Sequence, residues 1–292
     1  MVTFRCATAR EERGEALSAT ASTVRTFLLM EDPGPWGPHV LHSRRLPDAV
    51  RLALRTWSRE LGLRPLLVRR HGRDRGGPRL VAVVNARHGW TEATTVTDLA
   101  AVADLDLTGL LTADGVGLER CDEPLLLVCT HGAHDPCCAE RGRAVAAALA
   151  ARWPDLVWEA SHLGGDRFAG NLLALPRGDY FGGLDAETGP DAVARYLSGE
   201  LDLAHHRGRS TQAWPVQAAV HAAREQSGDT GIGDVLVRRV QRGGGLTLVH
   251  LEVRGEPRVA SVRVEAGADA RLTCHAEHAE APPRHVVRWI EP

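Results

Sequence analysis

The sequence predicts a mixed α/β protein built from two similar units and a smaller C-terminal appendage. Three observations point there. Short apolar runs of strand length alternate with one long helix-forming segment in each half. The order of these runs is the same in both halves. Gly- and Pro-rich clusters punctuate the boundaries between them. With 292 residues the chain has length for about two domains of roughly 100–200 residues each.

In the first half, residues 25–30 read as a strand, followed by the loop Pro33-Gly34-Pro35-Trp36-Gly37. Residues 47–61 read as a helix opened by Pro47, and 65–69 as the next strand. A Gly- and Arg-rich loop covers 71–77. Residues 80–85 and 91–96 form a hairpin around Arg87-His88-Gly89, and 97–105 suit a closing helix. The second half repeats this. Residues 124–128 are a short buried strand, then comes a Cys-containing loop, then an Ala-rich helix over 139–153 that stops before Pro154. Residues 156–159 are a strand, and after a Gly-rich loop 171–175 are another. Pro176-Arg177-Gly178-Asp179 is a turn, 180–184 a returning strand and 191–203 a helix. The order β-α-β-β-β-α is compatible with a thioredoxin-like fold, and its repetition reads as an internal duplication. Trp57 and Trp153 fall near the ends of equivalent helices, and His71 and His162 open equivalent loops. The expected divisions are 1–115, 116–210 and 211–292. The last combines a helix over 215–226 with strand-like runs at 246–250, 260–264 and 271–275.

Composition narrows function. A net charge of −2 gives no reason to expect a general polyanion binder. Only 4% of residues are aromatic, which argues against a base-stacking nucleic-acid platform. Every basic residue other than His is Arg, read as a base-composition bias of the genome. No run approaches the roughly 18 apolar residues of a membrane span. Residues 1–14 are polar and lack a secretory apolar core, so a cytoplasmic location is expected. There the six cysteines, Cys6, Cys121, Cys129, Cys137, Cys138 and Cys274, point to metal binding or redox chemistry rather than to structural disulfides.

Two loops carry the chemistry. Cys129-Thr130-His131-Gly132-Ala133-His134-Asp135-Pro136-Cys137-Cys138 joins a strand to a helix, whose free N–H groups favour thiolates. Ser161-His162-Leu163-Gly164-Gly165-Asp166-Arg167-Phe168 follows the neighbouring parallel strand, so both loops emerge at the same edge of the sheet. Gly164 and Gly165 permit close backbone approach to a bulky centre, or simply shape a turn. Thiolates with imidazole suit zinc or an iron–sulfur centre. Cys129 and Cys138 bracket the first loop opposite a His. His131 and His134 read as hydrogen bonders that steady it. Cys6 and Cys121 read as plain small side chains. Cys274 and His275 are either a strand end or an arm that folds over the site.

The string Cys129-Thr130-His131-Gly132 continuing through Asp135 to Cys137-Cys138, and the string from Ser161 to Asn171, together resemble the sucrase/ferredoxin-like family. The resemblance implies a thioredoxin-like ferredoxin domain holding a [2Fe–2S] cluster, with two Cys on one iron and two His on the other. The Cys pair carries over onto Cys129 and Cys138 and the first His onto His162. The second His falls on Asp166, which departs from the family pattern. Either Asp166 binds iron, or it accepts a hydrogen bond and Cys137, Cys274 or His275 completes the site. Gly164, Gly165 and Arg167 are the further expected cofactor contacts. No paired-carboxylate motif supports sugar chemistry.

The leading expectation is an electron carrier or redox sensor, with an unidentified redox partner protein and neither nucleic acid nor membrane as partner. His ligation raises the potential: Rieske centres span roughly −150 to +300 mV, against about −400 mV for plant-type ferredoxins. A thiol–disulfide oxidoreductase is the competing reading, although no Cys-x-x-Cys stands at the strand-to-helix turn. A structural zinc protein is a third.

Overall fold

The computed structural model describes residues 3–72 and 76–290; positions 73–75 of the predicted 71–77 loop lie outside the described residues. A short helix, α1 (Cys6–Glu12), precedes the first half. That half runs β1 (Thr26–Glu31), α2 (Asp48–Leu61), β2 (Leu63–Arg69), β3 (Arg79–Asn85) and β4 (Trp90–Val96). After β5 (Glu119–Arg120), the second half runs β6 (Leu125–Cys129), α3 (Pro136–Arg152), β7 (Val157–Ala160), β8 (Leu172–Leu175), β9 (Asp179–Phe181) and α4 (Thr188–Leu197). Then come β10 (His206–Arg209), α5 (Trp214–Ser227) and the strands β11 (Val235–Gly243), β12 (Leu246–Val253), β13 (Glu256–Ala266) and β14 (Pro283–Ile290).

Ten strands form one mixed sheet in the order β10-β9-β8-β6-β7-β2-β1-β3-β4-β5. Each half contributes the same local order. β1 is parallel to β2 and antiparallel to β3, while β6 is parallel to β7 and antiparallel to β8. The halves join through β2 and β7, where Val68 and Arg69 pair antiparallel with Ala160 and Glu159. Glu159 bolts this seam. It binds Arg69 at 2.7 Å and His71 Nδ1 at 2.9 Å, and accepts the Thr130 hydroxyl at 2.9 Å.

Both faces of the central strands are covered, which is why they read as unbroken apolar runs rather than as alternation. Phe27, Leu29, Leu127 and Leu173 point into one continuous core. Leu28 and Met30 point the other way, onto Val50 and Leu54 of α2. Leu126 and Val128 likewise meet Val145, Ala146 and Leu149 of α3. Each fully buried Leu of this kind contributes about 2 kcal/mol.

Several boundaries differ from the sequence expectation for local reasons. α3 starts at Pro136 rather than 139, because Asp135 caps it by accepting the Cys137 N–H and Pro136 fills the first position. Cys137 and Cys138 therefore lie in the first helical turn. α4 runs Thr188–Leu197 instead of 191–203 and stops at Ser198 and Gly199, the latter at φ +90°. The return strand ends at Phe181, ahead of Gly182 and Gly183. The closing element of the first half is a 3₁₀ turn, Leu99–Asp104. Residues 271–275 form no strand, and Cys274 N–H bonds the Asp135 carboxylate instead of a ladder.

The C-terminal part is a four-stranded antiparallel meander, β11-β12-β13-β14. Val249, Leu251 and Val253 of β12 alternate inward against Val216, Ala219 and Ala223 of α5. Among the described residues no helix is long and apolar enough to cross a membrane.

Candidate metal centre

The parallel pair β6 and β7 brings their following loops to one edge of the sheet. Cys129 is the last residue of β6 and Cys138 stands in the first turn of α3. Helix and strand approach very closely: a Cβ added at Gly142 would sit 1.9 Å from the Cys129 carbonyl oxygen. This contact holds the helix start over the strand end and so sets the two thiols beside each other. From the second loop comes His162. The ligand atoms of Cys129, Cys138 and His162 all lie within 4.8 Å of one another, as do those of His134, His162 and Asp166.

Asp166 joins the two groups. Its Oδ1 is 3.3 Å from Cys138 Sγ and 3.0 Å from His162 Nδ1. Arg167, the neighbour that could have neutralised this carboxylate, instead pairs with Glu15 at 2.8 Å and lies over the Phe168 ring. His162 Nδ1 is buried and makes no hydrogen bond of acceptable geometry among the described residues. The buried Nδ1 of His162 lies 3.0 Å from the Asp166 carboxylate, in a ring grouped with the thiols of Cys129 and Cys138, and such a nitrogen gives up its proton when a metal binds. The set S, S, N and O thus fits a metal. The thiols are sealed, with Cys129 and Cys138 essentially unexposed, whereas the His162 side chain is 22% exposed. One end of the centre is dry and the other reaches the surface.

The electrostatics fit the same reading. The Cys138 thiol hydrogen-bonds Cys129 and pulls it well below the usual thiol range despite burial, with His162 assisting. Cys138 in turn is pushed up by that neighbour and by burial. For His162, burial pulls down, but Asp166 and Cys129 prevail and raise it to about 9. Asp166 is opposed by burial yet held below the usual carboxylate range, chiefly by His162. Without an ion the site is therefore a proton-sharing network, and loading it would release protons.

The two remaining imidazoles behave differently. His131 uses both nitrogens: Nε2 donates to Gly37 O at 2.7 Å and Nδ1 accepts the His162 N–H at 3.0 Å. It steadies the loop, and burial pushes its pKa down. His134 donates from Nδ1 to Pro38 O at 3.1 Å, since a carbonyl can only accept. Its Nε2 lies 3.7 Å from Asp166 Oδ2, and its ring stacks on His162 at 3.7 Å. Sequence reasoning set His134 aside as a loop residue. Nothing in its spacing revealed that a carbonyl from the first half would leave its other nitrogen facing the site.

Gly164 and Gly165 adopt φ of +99° and +82°. A Cβ there would meet Ser22 Oγ at 2.3 Å and Arg207 Nη2 at 2.4 Å, so protein atoms fill that space. Arg207 is buried and bonds Gly164 O at 3.0 Å and Asn171 Oδ1 at 2.7 Å. It fixes the second loop from 43 residues away in sequence, a role no local motif announced. Cys137 and Cys274 belong to a different group, with Cys6 and Asp135. His275 joins neither of the two Cys-containing groups.

An α/β framework presents Cys, His and Asp donors at the ends of two adjacent parallel strands, an arrangement compatible with metal binding. More particularly, the sucrase/ferredoxin-like family profile matches residues 17–208, about two thirds of the chain, and the protein belongs to that family. The matched span contains every donor of this centre and ends within β10. No curated protein and no solved structure matches the chain.

Proposed function

We propose that this protein is a [2Fe–2S] electron-transfer or redox-sensing protein with Cys129 and Cys138 on one iron and His162 and Asp166 on the other. The observation that carries the reading is the meeting of four donors: the ligand atoms of Cys129, Cys138 and His162 lie within 4.8 Å of one another, and Asp166 Oδ1 is 3.0 Å from His162 Nδ1 and 3.3 Å from Cys138 Sγ. When bound, such a cluster supplies reversible one-electron chemistry. The chain's own residues do the rest. Cys129 and Cys138 hold the dry end. His162 and Asp166 hold the end nearest solvent, where an electron-exchanging partner protein would dock. His131 fixes the loop that carries His162. Because Asp166 is anionic, the potential is expected below that of a centre with two His.

The framework is read as two thioredoxin-like units related by duplication. Support comes from the matched strand order of the two halves and their junction through equivalent strands. A cytoplasmic setting, which keeps thiols reduced, suits six free cysteines. The test is a redox titration of anaerobically prepared protein. A reversible one-electron bleaching of visible absorbance is expected; a chromophore that cannot be reduced and reoxidised contradicts an electron-transfer role. One observation favours a second reading: Cys129, Cys138 and His162, with ligand atoms within 4.8 Å of one another, could also enclose a single zinc. Colourless protein with zinc and no sulfide would decide for it.

A further inference from the structure

A second group of donors stands apart from the first. Cys6 comes from α1, Asp135 and Cys137 from the start of α3, and Cys274 from the loop between β13 and β14. Their separations in sequence, 131 residues for Cys6 to Cys137 and 137 for Cys137 to Cys274, make chance packing of three thiols at one point a poor account. The sulfur–sulfur distances are 3.4 Å for Cys137 to Cys274, 3.5 Å for Cys6 to Cys274 and 3.8 Å for Cys6 to Cys137. Both Asp135 oxygens lie 3.8 Å from Cys6 Sγ.

These lengths have a simple meaning. Zinc–sulfur bonds of about 2.3 Å at tetrahedral angles place sulfurs about 3.8 Å apart. Three thiols forming a nearly equilateral triangle of that size describe one face of a tetrahedron around a single ion. A [2Fe–2S] cluster takes two protein ligands on each iron, so it could hold only two of the three thiolates this close and would set the third farther away. A disulfide would use two sulfurs and leave the third without purpose. We propose that Cys6, Cys137 and Cys274, with Asp135 in the fourth position, bind one zinc ion at a structural site distinct from the centre at Cys129 and Cys138.

The surroundings are built for thiolates. The Cys6 N–H points at Cys274 Sγ at 3.4 Å. Cys137 stands in the first turn of α3, whose free N–H groups favour negative charge. Asp135 is already positioned, because its oxygens accept the N–H groups of Cys137 and Cys274 at 2.8 Å each. Phe4 and Ala7 pack around the thiols and limit water. The ion would clasp α1 and the C-terminal meander to the helix whose next residue, Cys138, belongs to the other centre. The adjacent cysteines thus divide between two sites. The family match covers residues 17–208, so Cys6 and Cys274 lie outside it.

The test separates this site from the first. A Cys129→Ser/Cys138→Ser protein, lacking the first pair of thiols, is expected to retain one zinc per chain. Adding Cys137→Ser or Cys274→Ser should weaken zinc binding by at least about tenfold, the lower end of what loss of even an outer partner of a metal ligand costs. Cobalt(II) in place of zinc should give intense thiolate-to-cobalt charge-transfer bands and tetrahedral d–d bands. If the double variant does not fold, the unmutated chain answers the question: zinc present beyond its iron and lost in Cys274→Ser, with sulfide content unchanged. Absence of thiolate bands with cobalt, zinc retention indifferent to Cys137 and Cys274, or a disulfide among the three thiols would each overturn the proposal. None of these outcomes depends on the redox behaviour of the first centre.

Discussion

The two halves of the ten-stranded sheet follow one plan and do different work. In the second half, the six-residue loop after β6 carries two imidazoles and is flanked by the thiols of Cys129 and of Cys137 and Cys138; in the first, the corresponding stretch after β1 has no Cys. The first-half loop is organised around its own buried carboxylate. Asp32 accepts the Gly34 N–H at 2.9 Å and the Ser43 hydroxyl at 3.1 Å, and the Trp36 indole donates to the Asp32 carbonyl. Its contribution to the centre is two carbonyls, Gly37 O and Pro38 O, which orient His131 and His134. A shared framework therefore determines where a centre can be, and loop chemistry determines which half holds it. The half without donors serves as the wall against which the other half's ligands are set.

The largest effect should come from the donors themselves. Cys129→Ser and Cys138→Ser should each abolish the visible chromophore, while Asp32→Asn, in the loop after β1 of the first half, should leave iron content unchanged at the cost of local stability. Equal iron loss in all three would break the asymmetry. Next comes the fourth donor. Asp166→Ala should lose most of its iron or hold it labilely, and Asp166→His should restore binding at a higher potential, since a neutral ligand replaces an anion. Full iron and an unchanged spectrum in Asp166→Ala would transfer the role to another group. His134 is the neighbour placed to take it.

Gly142→Ala sharpens the comparison of the two helices. Replacing Gly by Ala inside a helix ordinarily stabilises by about 1 kcal/mol. Here the new Cβ would collide with the Cys129 carbonyl. A destabilisation of roughly 1–3 kcal/mol is expected, with weakened metal binding, measured by urea unfolding and iron content. A stabilised variant would mean that helix and strand do not meet so closely.

The smallest effect concerns the seam. Burial opposes the Glu159 anion, but Arg69, then His71 and Thr130, hold it below the usual carboxylate range. A depressed folded-state value means that the contribution is present above the unfolded value of about 4.3 and is lost as pH falls through the folded one. Glu159→Gln should cost about 1–2 kcal/mol near neutrality and flatten the acid limb of stability against pH. An unaltered acid limb would show that the seam does not depend on this charge.

Much of this framework is readable from residues. The apolar runs that became β1, β2, β6 and β8 were legible because both of their faces are buried, and α2 because Pro47 and Gly62 mark its ends. The start of α3 was misplaced although Asp135-Pro136 signals it, since the Cys pair drew the segment into the loop. Strand β11 went unread: it carries Arg238, Arg239 and Arg242 and is exposed along most of its length, and only the Gly243-Gly244-Gly245 turn hinted at a hairpin. Cys129, Cys138, His162 and Asp166 were singled out by the resemblance of two short motifs to the family, and those motifs do follow neighbouring parallel strands. Arg207, Ser22 and the carbonyls of 37–38 were not, because their roles arise only when distant segments pack. Cys6 and Cys274 were illegible as partners for the same reason, lying 268 residues apart.

The measurement that bears most directly on the account is the iron and acid-labile sulfide content of the full chain purified without oxygen, taken together with its absorbance spectrum. Two irons and two sulfides per chain are expected for a [2Fe–2S] centre, red-brown in colour and absent from Cys138→Ser. A colourless protein that takes up neither iron nor sulfide after reconstitution would contradict it.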